Sequence, residues 1–458
     1  MWRIFVLLFP VSSFAQGNIN VQLLDNWADD AITSGFNDLS YSDCWGYTYG
    51  EEEYAMLGST EGVHFFRISE DNSFELLDFV KGNYSHPSVV HRDIKIYRNY
   101  AFLVCDEGTS SLQIVDLQYL PDSVHVVYEN DSTFTRVHNL FIDEPNELMY
   151  ALSVQPSSNG MLQPLIPMQV YSISDILNPV LVYEGPNGIP EVHDAYVRNN
   201  IAYLNCGFDG VRVYDFSDPA NPAFLQNLDF YQDQGYNHQG WLSPDGTKYV
   251  FADETNGSSV KSCAVNANHE IDILGRVSSN AQDGNVPHNV MITNEHAFVA
   301  YYNEGLRVYD IRSQVPKEIG HFDTYPENEE LFKMNGAWGV YSELPSERIL
   351  VSDRKYGLFL LDFNREVFQS QEPDTINCYP NPVLPNSTFT IRLSEDREPS
   401  FTVEIFDSRG RIEHSEFIPN ANYAVLPSPD AAGIYTVRVS YPNEDKQEVA
   451  AFFRLAVF

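Results

Sequence analysis

The sequence predicts an all-β chain, a seven-bladed β-propeller followed by a small antiparallel β-sandwich. Three observations carry the expectation. A strand–turn–strand unit recurs along most of the 458 residues. A further strand follows each unit, seven times, with starts 42 to 57 residues apart. Near Gln371 the repeat stops and a different composition begins.

The recurring unit reads Asp93-Ile-Lys-Ile-Tyr, a turn at Arg98-Asn99, then Tyr100-Ala-Phe-Leu-Val. It returns as Asn139-Leu-Phe-Ile before Met149-Tyr-Ala-Leu, as Asp194-Ala-Tyr-Val before Ile201-Ala-Tyr-Leu, and with turns at Pro244-Asp-Gly246 and Thr293-Asn-Glu295. Asn, Asp and Gly supply the positive-φ positions that tight hairpins need. The strand that follows is Gly62-Val-His-Phe-Phe, Leu112-Gln-Ile-Val-Asp116, Gln169-Val-Tyr-Ser, Val211-Arg-Val-Tyr-Asp215, Val260-Lys-Ser-Cys, Leu306-Arg-Val-Tyr-Asp310 and Leu358-Phe-Leu-Leu-Asp362. A Pro-rich apolar segment such as Asn178-Pro-Val-Leu-Val-Tyr closes each unit, giving four strands per unit and the period of propeller blades. Asn18 to Leu24 reads as a closing strand with no hairpin before it, expected at the outer edge of the last blade, where it removes an exposed edge.

Composition agrees. The chain is 43% hydrophobic and 14% aromatic, with 28 Tyr and 29 Phe, which suits pleated half-buried surfaces. A net charge of −37 repels a phosphate backbone, so nucleic acid is excluded as a partner, whereas cations, neutral sugars and basic proteins fit; the charge also serves solubility alone. Residues 1–15 read as a signal peptide, with Arg3, an apolar run and Ser13-Phe14-Ala15 before the cut. No later apolar run is long enough to span a bilayer as a helix. Cys44, Cys105, Cys206, Cys263 and Cys378 form no C-x-x-C pair and read as buried small apolar residues.

Candidate site residues come from one column. His138-Asn139, His193-Asp194, His238-Gln239 and His288-Asn289 each precede an inner strand. In the second unit the register gives Arg92-Asp93 with His91 one place earlier, and in the seventh it gives Gly336-Ala337, so the histidines are expected to form an arc at one mouth of a central channel. Neutral imidazoles His138, His193, His238 and His288 near Asp93 and Asp194 could bind a divalent metal ion. The competing reading is that each His hydrogen-bonds the next blade and only stabilises stacking. Trp45, Trp241 and Trp338, with Tyr47 and Tyr236, lie near the column and could stack on a sugar or peptide, or simply pack. The strand-ending Asp116, Asp215, Asp310 and Asp362 read as turn caps. Enzyme motifs such as G-x-S-x-G and H-E-x-x-H are missing, so a non-enzymatic binding or scaffold module is the first expectation. A propeller hydrolase or lyase on an extracellular polymer, using the channel His and Asp as acid and base, is the alternative.

With Leu112-Gln-Ile-Val-Asp116, Trp45-Gly46-Tyr47, His91-Arg-Asp-Ile-Lys95, Asn237-His-Gln-Gly-Trp241, His321-Phe-Asp-Thr-Tyr-Pro-Glu-Asn328 and Asn335-Gly-Ala-Trp-Gly339, the stretch from Asn18 to Asn364 resembles the secreted propellers built of LVIVD repeats. The resemblance implies fold and an extracellular setting, with a propeller over 16–368, and little chemistry. The C-terminal residues Pro380, Asn381 and Pro382, then Asp407 and Gly410 in a turn, then Gly433 and Tyr435 opening a strand, resemble the type A sorting domain of the Bacteroidetes type IX secretion system. That resemblance implies that 375–458 addresses the protein to the type IX machinery, for release or cell-surface attachment; an ordinary carbohydrate-binding or spacer sandwich is the alternative.

Overall fold

The computed structural model describes residues 18–457 apart from 131–132, 159–160, 280–284, 327–333, 366–376, 380–382, 393–399, 408–410, 422 and 443–447. The expected signal peptide, the Pro380–Pro382 string and Gly410 lie outside the described residues. The chain divides into two compact units, Met1–Phe363 and Asn364–Phe458, and among the described residues both are all-β apart from three short 3-10 turns in the first.

In the first unit the described residues form seven four-stranded antiparallel sheets. Their first strands are Tyr41–Tyr49, Arg92–Tyr97, Asn139–Asp143, Asp194–Arg198, Asn237–Leu242, Pro287–Ile292 and Ala337–Tyr341. In six sheets the strands run in chain order; in the seventh the outer strand is Val21–Trp27, paired antiparallel with Gly357–Phe363. The N-terminal segment therefore closes the last sheet, a few residues further along than Asn18 to Leu24, and Ile19 also exchanges backbone hydrogen bonds with His321 of the sixth sheet. First strands lie against one another in order, and that of the seventh sheet lies against that of the first. A hairpin of Ser157–Ser158 and Met161–Leu162 fills the insertion between the second and third strands of the third sheet.

Strand alternation explains the core. Residues i and i+2 face one neighbouring sheet, and i+1 faces the other. Thus Ala101 and Leu103 pack with Met56 and Phe65 of the first sheet, while Phe102 and Val104 pack with Leu140 and Met149 of the third. Tyr203 and Val213 meet Leu242 and Phe251, and Leu57 and Phe66 of the first sheet meet Leu350 and Leu360 of the seventh. Burial on both faces is why these strands read as nearly continuous apolar runs. The outer strands carry polar residues, as in His125–Asn130, which is exposed along most of its length. Cys44, Cys105, Cys206 and Cys263 are buried free thiols, which burial makes poor acids.

The strand-ending aspartates are turn caps at three of the four positions. Asp116, Asp215 and Asp310 each accept the backbone N–H two residues on, at 3.0, 2.8 and 2.9 Å. A different acid is buried in the fifth sheet. Asp253 and Lys261 are both inaccessible and meet at 2.6 Å, and Asp253 also accepts the Tyr231 hydroxyl and the Gly235 N–H.

In the second unit the described residues form two antiparallel sheets. One is ordered Asn377–Tyr379, Thr388–Arg392, Tyr423–Pro427; the other is ordered Ile412–Ile418, Phe401–Phe406, Gly433–Pro442, Glu448–Val457. Alternate residues Phe389 and Ile391, Val403 and Ile405, Val437 and Val439 share one core. Asp407 closes the turn by accepting the Arg411 N–H at 2.9 Å, Gly433 opens its strand, and the Tyr435 hydroxyl donates to Ala431.

The buried ion pair yields a stability test. Replacing Lys261 by Ala leaves the Asp253 carboxylate buried without its cation, and should lower the unfolding free energy of the first unit by about 3–5 kcal/mol in urea titrations. A loss below about 1 kcal/mol would mean that the carboxylate is not confined there.

Candidate functional site

The first strands place three residues per sheet where the sheets converge. Nearest the strand starts is a ring of aromatic side chains contributed by six of the seven sheets: His91, His138, His193, His238, His288 and Trp338. Successive ring centroids are 5.6, 4.2, 4.2, 4.1 and 5.1 Å apart, and Trp338 returns to His91 at 5.5 Å. The histidines form an arc and the indole spans its gap.

The register expected for the seventh sheet needs correction. Ala337 pairs with Asp353 as Asn237 pairs with Asp253, and a register shift follows immediately in both sheets. The counterpart of His238 is therefore Trp338, not Gly336. Such a bulge inserts one residue and re-aims its side chain, which moves the column without leaving a mark in local composition.

Four of the five imidazoles are held through Nδ1. His91 meets Glu107 at 2.6 Å and His138 meets Asp106 at 2.9 Å. His193 Nδ1 donates to the His238 carbonyl at 3.2 Å, and His288 Nδ1 to the Trp338 carbonyl at 2.7 Å. The Trp338 indole N–H in turn donates to His288 Nε2. His238 Nδ1 faces the His288 backbone outside hydrogen-bond geometry, and its Nε2 lies 3.8 Å from Glu254 Oε2.

Their titration divides accordingly. Burial and the neighbouring His138 and His238 hold His193 well below the usual imidazole range; burial and His238 do the same to His288; and burial takes His238 to about 4. Burial also works against the His138 cation, but the Asp106 hydrogen bond and charge outweigh it, and its pKa rises. The arc thus combines neutral imidazoles, which can ligate a metal, with one that favours a proton.

One residue further along lie Asp43, Asp93, Asn139, Asp194, Gln239 and Asn289. Asp93 Oδ2 accepts the Leu140 N–H of the next sheet at 2.8 Å, and Gln239 Oε1 accepts the Val290 N–H at 2.7 Å. Lys95 supplies the cation, 2.5 Å from Asp93 and 3.8 Å from Asp43. Asp194, against Asn139 at 2.6 Å, is pushed up to about 7 by burial, with Lys95 opposing.

Two residues beyond is an aromatic collar of Trp45, Phe141, Tyr196, Trp241 and Tyr341, interrupted by Lys95 and Met291. Trp45 lies 5.1 Å from Tyr341 and 6.5 Å from Trp241, and Tyr196 lies 4.8 Å from Trp241. Gly46 makes the arrangement possible, since a Cβ there would sit 2.3 Å from the Tyr341 ring. The collar borders an open cavity of about 400 Å³, with Glu144, Glu343 and Arg98 among its lining residues. Among the expected aromatics, Trp45 and Trp241 belong to this collar, Trp338 belongs to the histidine ring, and Tyr236 stacks edge-on to His193 at 5.3 Å. Tyr47 lines the same cavity, packing on Tyr54 and donating to Asn99.

Sequence reasoning missed Asp106, Glu107 and Glu254, which follow the second strands of their sheets, and the collar residues Phe141, Tyr196 and Tyr341. The collar had a signal: each lies three residues after the ring position of its own sheet, as Trp241 follows His238.

No family model matches the chain, and no curated protein matches it. Among solved structures, the extracellular domain of a putative one-component system from B. thetaiotaomicron is 12% identical over 92% of this chain and 57% of that one, with a TM-score of 0.46. A protein from Lactobacillus plantarum is 12% identical over 85% of this chain and 99% of that one, with a TM-score of 0.49. U3-55K is 10% identical over 75% of this chain and 98% of that one, with a TM-score of 0.53. This chain spans little more than half the length of the Bacteroides domain. The likeness to U3-55K is one of fold alone. Among the described residues no helix is long and apolar enough to cross a membrane.

Opposite pH dependences follow from the imidazoles. The raised pKa of His138 gives stability that is complete below the unfolded value of 6.5 and is lost as pH rises through the folded one. His193, His238 and His288, depressed in the fold, reduce stability as pH falls from 6.5 toward about 4. Imidazole NMR titrations should show His138 above 6.5 in the parent and returned downward in Asp106→Asn, while His238 stays neutral at pH 5; a His238 titrating near 6.5 contradicts the assignment.

Proposed function

We propose that the chain is a secreted or surface-displayed seven-bladed β-propeller of the LVIVD-repeat kind that binds extracellular carbohydrate in the aromatic mouth of its axis. Export is assigned to the C-terminal unit, acting as a type IX sorting domain after removal of a signal peptide at 1–15. The propeller spans 16–368 and the sorting domain 375–458 on this reading.

The single observation that carries the binding reading is the convergence of six aromatic side chains, the five of the collar and Tyr47, on one open cavity of about 400 Å³. Flat rings offer sugar C–H faces a stacking surface at low entropic cost, and the bordering Glu144, Glu343 and Arg98 can hydrogen-bond hydroxyls. The strongly acidic chain suits a neutral glycan better than an anionic one. The closing contact between first and seventh sheets, and the closing strand Val21–Trp27, support the toroid. For export, the support is the Asp407–Arg411 turn and the strand opened by Gly433 and Tyr435, within a unit that has its own core.

Affinity electrophoresis through gels containing neutral β-glucan, xylan or mannan tests the mouth. The parent should be retarded by at least one polymer, and Trp241→Ala or Tyr341→Ala should weaken that interaction at least about tenfold. Absence of retardation with all three, or retardation indifferent to both substitutions, refutes carbohydrate binding there. In a host with type IX machinery, a chain ending at 363 should accumulate in the periplasm; its appearance outside the cell would refute the sorting role.

A further inference from the structure

The histidine end of the axis contains a cluster that neither the aromatic mouth nor export uses. We propose that His238, Glu254 and His288 form a binding site for one divalent transition-metal ion of the zinc type. One ligand atom from each residue lies within 4.8 Å of the others.

The spacing decides between a hydrogen bond and a shared ion. His238 Nε2 and Glu254 Oε2 are 3.8 Å apart, too far for a hydrogen bond. Two atoms each bonded at about 2.0–2.2 Å to one ion stand about 3–4 Å apart. The gap is ion-sized.

His238 needs such an explanation. It is 3% exposed, its Nδ1 makes no hydrogen bond, and the contact of its Nε2 with Glu254 is too long to be one. The orphaned atom is Nδ1, on the side of the His288 backbone, while Nε2 has only a carboxylate at ion spacing. A buried ring held this loosely is costly and rare, and an ion on Nε2 would give that nitrogen a partner and fix the ring's direction. The other two ligands are already held from behind. His288 Nδ1 donates to the Trp338 carbonyl at 2.7 Å, which leaves the lone pair on Nε2, and Glu254 Oε1 accepts the Tyr302 hydroxyl at 2.6 Å. Outer hydrogen bonds of this type fix the tautomer and direction of metal ligands. Two imidazoles and one carboxylate leave a coordination position for water or a ligand group.

His138 and His193 fall outside this site, although both belong to the same column. His138 is committed to Asp106, and His193 is tied to the His238 carbonyl without a carboxylate at ligand spacing. The competitor for the ion is Trp338, whose indole N–H occupies His288 Nε2. Metal binding must therefore release the indole, and tryptophan emission becomes a reporter of occupancy. The site does not depend on whether the aromatic mouth binds sugar.

Calorimetric titration of Zn²⁺ into the chelator-treated mature chain, with Co²⁺ absorption in parallel, tests the proposal. One ion per chain, a change in tryptophan emission and a visible Co²⁺ band are expected. Glu254→Gln should weaken binding at least about tenfold while leaving the melting temperature of the metal-free chain unchanged. Trp338→Phe, which removes the competing hydrogen bond, should tighten it about fivefold. The absence of one-to-one binding, or several weak ions indifferent to Glu254→Gln, overturns the site. An affinity unchanged by Trp338→Phe overturns the placement of the ion on His288 Nε2.

Discussion

Convergence is the constraint on which the first unit depends. Seven first strands meet along one line, where there is little room for water and the backbone N–H groups of each strand still need acceptors. The neighbouring sheet supplies them: Asp93 accepts from Leu140, Gln239 from Val290, and Ser42 from Arg92. Each bond contributes about 0.5–1.5 kcal/mol net, but an unmet buried group costs about 1–3 kcal/mol, so short polar side chains are required at positions that strand alternation would otherwise fill with Val or Ile. These bonds also lock one sheet to the next, which apolar packing between sheets does without fixing register.

With the sheets locked, position along the first strand sorts the chemistry. In six of the seven sheets an imidazole or indole precedes the polar layer, that layer carries Asp, Asn or Gln in every sheet but the seventh, and two residues later come most of the aromatic rings. The second sheet departs from this order. Where five of the others place a ring and the sixth sheet places Met291, it places Lys95, 4.4 Å from the Trp45 centroid and 2.5 Å from Asp93. A carboxylate-rich interior needs a cation, and a lysine whose stem can lie along an aromatic wall provides one without opening the layer to water.

How much of this was legible follows from periodicity. Strands were readable because both faces are buried in a fixed alternation, and the histidine column because four sheets place His immediately before the polar residue. Trp338 was misplaced because the sequence aligns Gly336-Ala337 with the column, whereas strand pairing puts Trp338-Gly339 there, two residues on, at a bulge that has no compositional signature. His91 lies one residue out of step yet reaches the ring, since Glu107 pulls its Nδ1 from the far end of the adjacent strand. Glu254, Asp106 and Glu107 were missed for a different reason. They sit at the ends of second strands, and their proximity to the column exists only through pairings such as Asn237 with Asp253.

The two ends of the axis differ because their side chains meet different partners. At the collar the rings touch one another and border a cavity, so their outer faces remain available to a molecule that stacks. At the histidine end the rings are oriented by carbonyls of the following sheet: His193 by His238, and His288 by Trp338. Rotating one imidazole therefore breaks a contact between sheets, and the arc resists rearrangement as a body. His238 is the exception within it, with no hydrogen bond fixing its ring and a carboxylate just out of reach. Other buried polar atoms near the axis, such as Asn139 Oδ1, also lack a hydrogen bond, but at His238 an unbonded ring faces a carboxylate at ion spacing, and there the structure leaves room for a component it does not itself supply.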